Sequence, residues 1–338
     1  MNKAKYIYSV IGTQEKILNG ELIAFPTETV YGLGGNAFDP DAVKSIFSVK
    51  GRPPNDPLIV HVQSSQKARE LLVLNEHQES IFNILSEKYW PGPLTIIAPA
   101  IDDIPSEVSS GSGWVGVRVP SHPVAQMFLR ECNLPIAAPS ANRFSHVSPT
   151  KPEHVMNDLK DHPIYILKNS HLKCDFGVES TIIKLEVEGD PLILRRGAIS
   201  QFDLNQIIKL TRFEDKKTQF MAPGMMLKHY SPDGIDTIIA DCDIPAEYLK
   251  NAGILDFGGL LKKYQDKVKW YFDLSKENNS FSACQLLYEK LREAEEKQIE
   301  RLFLPMIKMC DLNSSNIQDT LADKFYRAAS GKMIAHAL

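Results

Sequence analysis

Residues 1–200 carry eight short apolar runs, several ending in proline or serine, with helical stretches interleaved. This alternation limits the fold more than any other feature of the chain. LIAFPT (22–27), PLIVHV (57–62), LTIIAP (94–99), VGVRVP (115–120), PIAAPS (135–140), PIYILK (163–168), STIIKLE (180–186) and PLILRR (191–196) read as strands. Helical patterns fall near 40–49, 64–73, 77–89, 122–132 and 151–160. Strands interleaved with helices specify an α/β sheet. Proline or serine at a strand end opens a loop there, and in open α/β sheets ligands bind at the carboxyl edge. The run STIIKLEVEGDPLILRR reads as two strands about a Gly-Asp turn, so the sheet is expected to be mixed. A second alternation fills 235–338, with TIIAD, GILDF, KWYFDL and RLFLPM as strands. Apolar positions 283, 286, 287, 291 and 294 mark one face of a helix within it.

With 338 residues, two domains are expected. The division predicted is 1–205, a connector at 206–233, and a small βα domain at 234–338. No apolar run approaches the roughly 20 residues of a membrane helix. The N-terminal MNKAKYIYSV lacks the apolar core of a signal peptide. Five scattered cysteines without a CxxC pair argue against a zinc site or a disulfide framework and suit a reducing cytoplasm. Net charge is −4; residues 233–338 hold 14 basic and 17 acidic residues, leaving −1 for the rest. That balance does not fit a protein that grips nucleic acid by charge alone.

Four stretches place polar groups beside strands. FPTETVYGLGGNAFD (25–39) becomes glycine-rich after a strand, which serves either a close ligand approach or a plain turn. KGRPPNDPLIVHV (50–62) holds Lys50 and Arg52 on either side of a glycine, stiffened by Pro53 and Pro54. The pair can face one anion, or can simply favour a helix C-terminus. His61 within that strand is either a packed core residue or a functional one. PIAAPSANRFSHVSPT (135–150) opens into Ser140, Asn142, Ser148 and Thr150. Those groups can bind phosphate or ribose, or cap the next helix, and Thr150 ahead of Pro152 is expected to be that cap. Arg118 lies inside an apolar strand and needs an anionic partner, protein or ligand. GSGWVG (111–116) precedes a strand and so is no dinucleotide fingerprint; GxxxxGK[ST], GxSxG and HExxH do not occur.

In this order, FPTETVYGLGGNAFD, KGRPPNDPLIVHV, WPGPLTII, GVRVPSHP, PIAAPSANRFSHVSPT, GVESTII and LRRGAI resemble the YrdC/Sua5 family. APGMMLKHYSP and the βα domain after it resemble the longer Sua5 form. The resemblance implies a twisted mixed α/β sheet with a large concave cleft, followed by a small Rossmann-like βα domain. It also implies a nucleotidyltransferase, threonylcarbamoyl-AMP synthase, acting on L-threonine, bicarbonate and ATP with Mg²⁺. A partner protein complex would then move the threonylcarbamoyl group to adenosine 37 of ANN-decoding tRNAs, giving t6A.

Site roles implied by the resemblance follow the motifs. Lys50 and Arg52 match its cation pair, facing the triphosphate and the pyrophosphate leaving group. Thr29, His61, Arg118 and Ser180 match threonine-site positions, with Arg118 meeting the substrate carboxylate. Asp56, Ser140, Asn142, Ser148 and Arg195 match nucleotide-site positions, although the family often has Asn at the place of Asp56. His229 and Tyr230 match a connector that folds over the site as a lid. No metal-ligating residues are implied. Trp114 and Arg196 depart from the family pattern, which has a small hydroxyl residue and proline there. Two other readings stand against this enzyme: a non-catalytic module binding double-stranded RNA or tRNA, and a carbamoyl-adenylate enzyme of hydrogenase maturation. The latter is a larger chain with zinc-finger and acylphosphatase-like segments absent here.

Overall fold

Leu22–Phe25 shows how the sheet forms: four apolar residues, all buried, run straight into Pro26, which ends the strand. The computed structural model describes residues 3–168, 174–210, 229–308 and 317–334. Its residues divide into two units. One takes in Met1–Phe144, Pro149–Asp175 and Glu179–Met225; the other takes in Ser145–Ser148, Phe176–Val178 and Met226–Leu338.

The first unit is built on ten strands: β1 (Lys5–Ile7), β2 (Leu22–Phe25), β3 (Gly32–Asn36), β4 (Ile59–His61), β5 (Leu94–Pro99), β6 (Trp114–Arg118), β7 (Ile136–Ala137), β8 (Ile164–Leu167), β9 (Thr181–Lys184) and β10 (Leu192–Arg195). They form one sheet in the order β1-β8-β2-β3-β7-β4-β6-β5-β9-β10. The sheet is mixed, as expected. β4 runs parallel to β6 and β5 parallel to β9, whereas β3, β7 and β10 pair antiparallel with their neighbours. The carboxyl ends of the strands therefore do not share one edge, and Ser180 precedes the start of β9. One face is covered by the helices Pro40–Lys50 and Glu76–Tyr89, whose Val43, Ile46, Phe82 and Leu85 join Leu33, Val60, Ile96 and Val117 in the core. Each such side chain contributes about 1.5–3 kcal/mol by leaving water. A second cluster gathers Ile17, Phe25, Phe128 and Ile136 around the helix Pro123–Cys132.

GLGGN, read as a turn or ligand loop, is strand β3, buried between β2 and β7. Its glycines are there for space. A Cβ on Gly34 would stand 2.7 Å from Cγ2 of Ile136 and 2.9 Å from the Phe25 ring. Thr150 is not the cap of the helix Pro152–Leu159: Lys151 occupies that position and no side chain caps the helix. Proline at its first turn removes one of the orphan N–H groups a cap would satisfy. β1 and the short helix Thr13–Leu18 had no strong sequence period and were not anticipated.

The second unit carries β11 (Asp236–Ala240), β12 (Ala252–Asp256), β13 (Trp270–Asp273) and β14 (Arg301–Pro305), all parallel, in the order β11-β14-β12-β13. The helix Ser280–Glu296 buries Ala283, Leu287, Leu291 and Ala294, as their spacing requires. Among the described residues no helix is long and apolar enough to cross a membrane.

Candidate active site

The KGR stretch is shaped by a helix ending. The helix Pro40–Lys50 is capped at its start by Asp39, which accepts from the Asp41 N–H. It stops because Gly51 turns left-handed (φ 62°), with Arg52 N–H returning to Phe47 and Gly51 N–H to Ser48. This is a Schellman ending, which glycine adopts without a Cβ penalty. Lys50 and Arg52 consequently leave the helix rigidly. Both are buried. Lys50 Nζ donates to the carbonyl oxygens of Ser140 (2.6 Å) and Asn142, so the structure joins the cation to the SAN turn. Burial, and then the nearby Arg52 charge, push the Lys50 pKa well below the ordinary lysine value. A bound anion would reverse that penalty.

Arg52 is held by Asp56. Its NH2 lies 2.9 Å from Asp56 Oδ1, and it also donates to the carbonyls of Asp56 (3.0 Å) and Pro57 (2.8 Å). Burial raises the Asp56 pKa, against the lowering influence of Arg52, Lys50 and Arg195. Asp56 Oδ2 is buried with no partner among the described residues.

A second group forms around Arg118, the last residue of β6. The anion required by this strand arginine is Glu28: NH2 lies 2.7 Å from Oε1, with the side chains 4% and 1% exposed. Arg118 NH1 donates to Thr29 Oγ1 (2.9 Å) and Nε to the Gly92 carbonyl (3.3 Å). Thr29 is fixed in turn by Thr27, their hydroxyls 2.8 Å apart. His61 pairs in register with Arg118 across β4 and β6 and packs edge-on to Phe25 at 5.9 Å. Burial, reinforced by Arg118, lowers the His61 pKa to about 3, so its imidazole is neutral at physiological pH. His122 accepts from the Val124 N–H through Nδ1, which puts its proton on Nε2. Burial lowers its pKa also. His61 Nδ1, His122 Nε2 and Glu28 Oε2 are buried atoms without partners among the described residues. Such orphans are rare in native proteins.

The third group is Ser180, Arg195 and Thr95. Ser180 Oγ lies 2.7 Å from Thr95 Oγ1, and Arg195 donates to Ser180 Oγ (3.0 Å) and to its carbonyl (3.1 Å). Thr95 was not anticipated, although a hydroxyl inside the apolar run LTIIAP was the available signal. Glu28, in the same FPTETV stretch as Thr29, carries no signal of its own in the sequence. Trp114 is stacked under Lys184, whose Nζ stands 4.5 Å from the ring centroid.

Ser148, His229 and Tyr230 fall in the second unit, and all three are buried. There Tyr230 stacks on Tyr288 (5.3 Å between centroids), and Lys324 Nζ sits 4.7 Å from the Tyr230 ring. The Ser145–Ser148 segment is tied to the helix Ser280–Glu296 by His146 Nε2 to Glu295 (2.7 Å) and by Arg292 to the Val147 carbonyl. The rest of the APGMMLKHYSP motif before His229 lies outside the described residues. Among the described residues no cluster of three or more His, Cys, Asp or Glu could hold a metal ion.

Residues 15–197 match the Sua5/YciO/YrdC family model, described as "Telomere recombination", and residues 199–330 match "Threonylcarbamoyl-AMP synthase, C-terminal domain". The chain is 39% identical over 221 residues to a threonylcarbamoyl-AMP synthase of Pyrococcus abyssi, covering 64% of this chain and 63% of that relative. It is 40% identical over 217 residues to the Bacillus subtilis protein of the same name, covering 63% and 61%. The matched stretch thus spans less than two thirds of each of these relatives. The fold superposes on the crystal structure of P. abyssi Sua5 complexed with L-threonine with a TM-score of 0.84, at 27% identity and over 98% of both chains. A family model that takes in most of the first unit, and a second that continues from residue 199, establish that this chain belongs to the Sua5/YciO/YrdC family.

Proposed function

We propose that this protein is an L-threonylcarbamoyladenylate synthase, forming threonylcarbamoyl-AMP and pyrophosphate from L-threonine, bicarbonate and ATP. The observation that carries the reading is the match along 98% of the chain to a relative solved with L-threonine bound. The site agrees with it chemically. Two buried cations beside the SAN turn suit a polyphosphate, and an arginine fork beside hydroxyls and a neutral imidazole suits a small hydroxy amino acid.

In this reading the amine of threonine attacks CO₂ or bicarbonate to give N-carboxythreonine. That carboxylate attacks the α-phosphorus of ATP in line, and pyrophosphate leaves. Positioning and charge stabilisation dominate such a step. Lys50 and Arg52 stabilise the developing charge on the leaving phosphates. Thr29, His61, Arg118 and Ser180 hold threonine; Asp56, Ser140, Asn142, Ser148 and Arg195 line the nucleotide site. The same reading gives His229 and Tyr230, at the end of the connector motif, a nucleotide-binding role. Mg²⁺ enters with ATP as part of the substrate. We assign the catalytic domain to 1–205, the connector to 206–233 and the C-terminal domain to 234–338. The product passes to a tRNA-modifying protein complex that makes t6A at adenosine 37, in the cytoplasm.

The test is pyrophosphate release from Mg–ATP with threonine and bicarbonate added singly and together. Release only with both, and poor replacement of threonine by serine, is the expected result. Release with neither would mean a plain ATPase. No release under any condition, with RNA binding intact, would favour the non-catalytic RNA-binding module.

A further inference from the structure

We propose that Glu28 is a catalytic residue, whose Oε2 receives the α-ammonium group of the amino-acid substrate and takes its proton. The inference rests on the reading of this site as one that carboxylates threonine, and it supplies the proton acceptor that reading lacks.

The argument begins with what Arg118 leaves unused. Among the described residues three of its five N–H donors are engaged, by Gly92, Thr29 and Glu28. One on NH1 and one on NH2 remain for a carboxylate. Glu28 is engaged through Oε1 alone; Oε2 is buried and has no partner among the described residues. A carboxylate oxygen desolvated without a donor costs about 1–3 kcal/mol. If Glu28 served only to hold Arg118, that cost would bring nothing. Placed together, an arginine with two free donors and a carboxylate with one free oxygen form the complement of a zwitterion. The substrate carboxylate meets the fork and the ammonium meets Oε2. The side chain is 1% exposed, so water does not compete for it.

The chemistry needs this contact. An ammonium has no lone pair and cannot attack carbon, and at neutral pH the amine of an amino acid is protonated. Glu28 Oε2 takes one proton. The freed lone pair forms the N–C bond to bicarbonate, the C–OH bond breaks, and the departing hydroxide leaves as water with a second nitrogen proton. Zwitterionic threonine, bicarbonate and the Glu28 carboxylate thus become the N-carboxythreonine dianion, water and the Glu28 acid, with charge conserved at −2. Groups that face Glu28 electrostatically are Arg118 on β6, His122 at the head of the helix Pro123–Cys132, and the Cys174 thiol, which burial keeps protonated.

The test compares wild type, Glu28→Gln and Glu28→Asp in threonine- and bicarbonate-dependent pyrophosphate release, with kcat and KM for threonine taken across the neutral to alkaline range. Glutamine still accepts from Arg118 but takes no proton. Its kcat/KM should fall about a hundredfold or more near neutrality and recover about tenfold per pH unit as solvent deprotonates the amine. Glu28→Asp, which keeps the base but draws it back, should retain the wild-type pH profile at a lower kcat. A glutamine variant with the wild-type profile, or one depressed equally at every pH, would overturn the proposal and leave Glu28 a holder of Arg118. A second measurement needs no variant. 3-Hydroxybutyrate, which is threonine without its amino group, should compete with threonine at least about a hundredfold more weakly than threonine binds, because it leaves Oε2 unpaired. Equal competition would also overturn the proposal. A wild type that releases no pyrophosphate with threonine and bicarbonate overturns the functional reading itself, and this inference with it.

Discussion

At the scale of single residues, burial decides charge state, and charge state decides what each group can do. His61 keeps a pKa near 3 while the unfolded chain returns it to about 6.5. Between those values the unfolded state binds more protons, so stability is intact above about pH 6.5 and declines as pH falls toward 3. His61→Asn should flatten the fall in Tm between about pH 6 and pH 4, which thermal unfolding across that range will read. Lys50→Ala should lower pyrophosphate release about a hundredfold or more while threonine binding by calorimetry stays near wild type. Arg52→Ala should cost more than activity. It leaves Asp56 a buried charge without its partner, a loss of about 3–5 kcal/mol that denaturant unfolding will show. The residues that sequence reading singled out at this scale are those whose type conflicts with their surroundings. An arginine in an apolar strand and a Lys-Gly-Arg at a helix end are such conflicts; Glu28 and Thr95 gained meaning only from their neighbours.

Among elements, β3 is the clearest departure from expectation. Three glycines in four positions look like a loop because glycine is most often chosen for its freedom of φ. Here Gly34 and Gly35 are chosen for the absent side chain, since β2, β7 and the helix Pro40–Lys50 close over them. Gly34→Ala should lower stability by about 1–3 kcal/mol through overpacking against Ile136 and Phe25, measured as a shift in denaturant midpoint at constant m. The helix Glu76–Tyr89 presents the opposite case. Its start is written in the sequence as Asn75 and Gln78, and both halves of the capping box are made. Asn75→Ala should cost about 1 kcal/mol in the same measurement. Local signals of this kind survive any tertiary context, whereas the space around a glycine is set by other elements.

For the whole molecule, the near-neutral charge is the property that function must accommodate. A net charge of −4 predicts that any RNA affinity is weak and salt-sensitive, losing most of its strength by physiological ionic strength in a filter or fluorescence titration. Tight, salt-resistant RNA binding would contradict this. The two units each carry their own sheet, one mixed and one wholly parallel.

What the sequence determined by itself was the alternation of strands and helices, the mixed character of the larger sheet, the second βα sheet and the order of the motifs. These follow from period, turn residues and strand-ending prolines, which act within a few residues of one another. Only the tertiary structure decided which polar groups meet. Arg118 and Glu28 are ninety residues apart in sequence, Lys50 and the Asn142 carbonyl ninety-two, and Thr95 and Ser180 eighty-five. Antiparallel neighbours in the sheet send their carboxyl ends to opposite edges, so the strand ends do not share one edge. The three polar groups assemble instead through strand pairing and loops that return across the sheet, and burial then sets the protonation that each group carries.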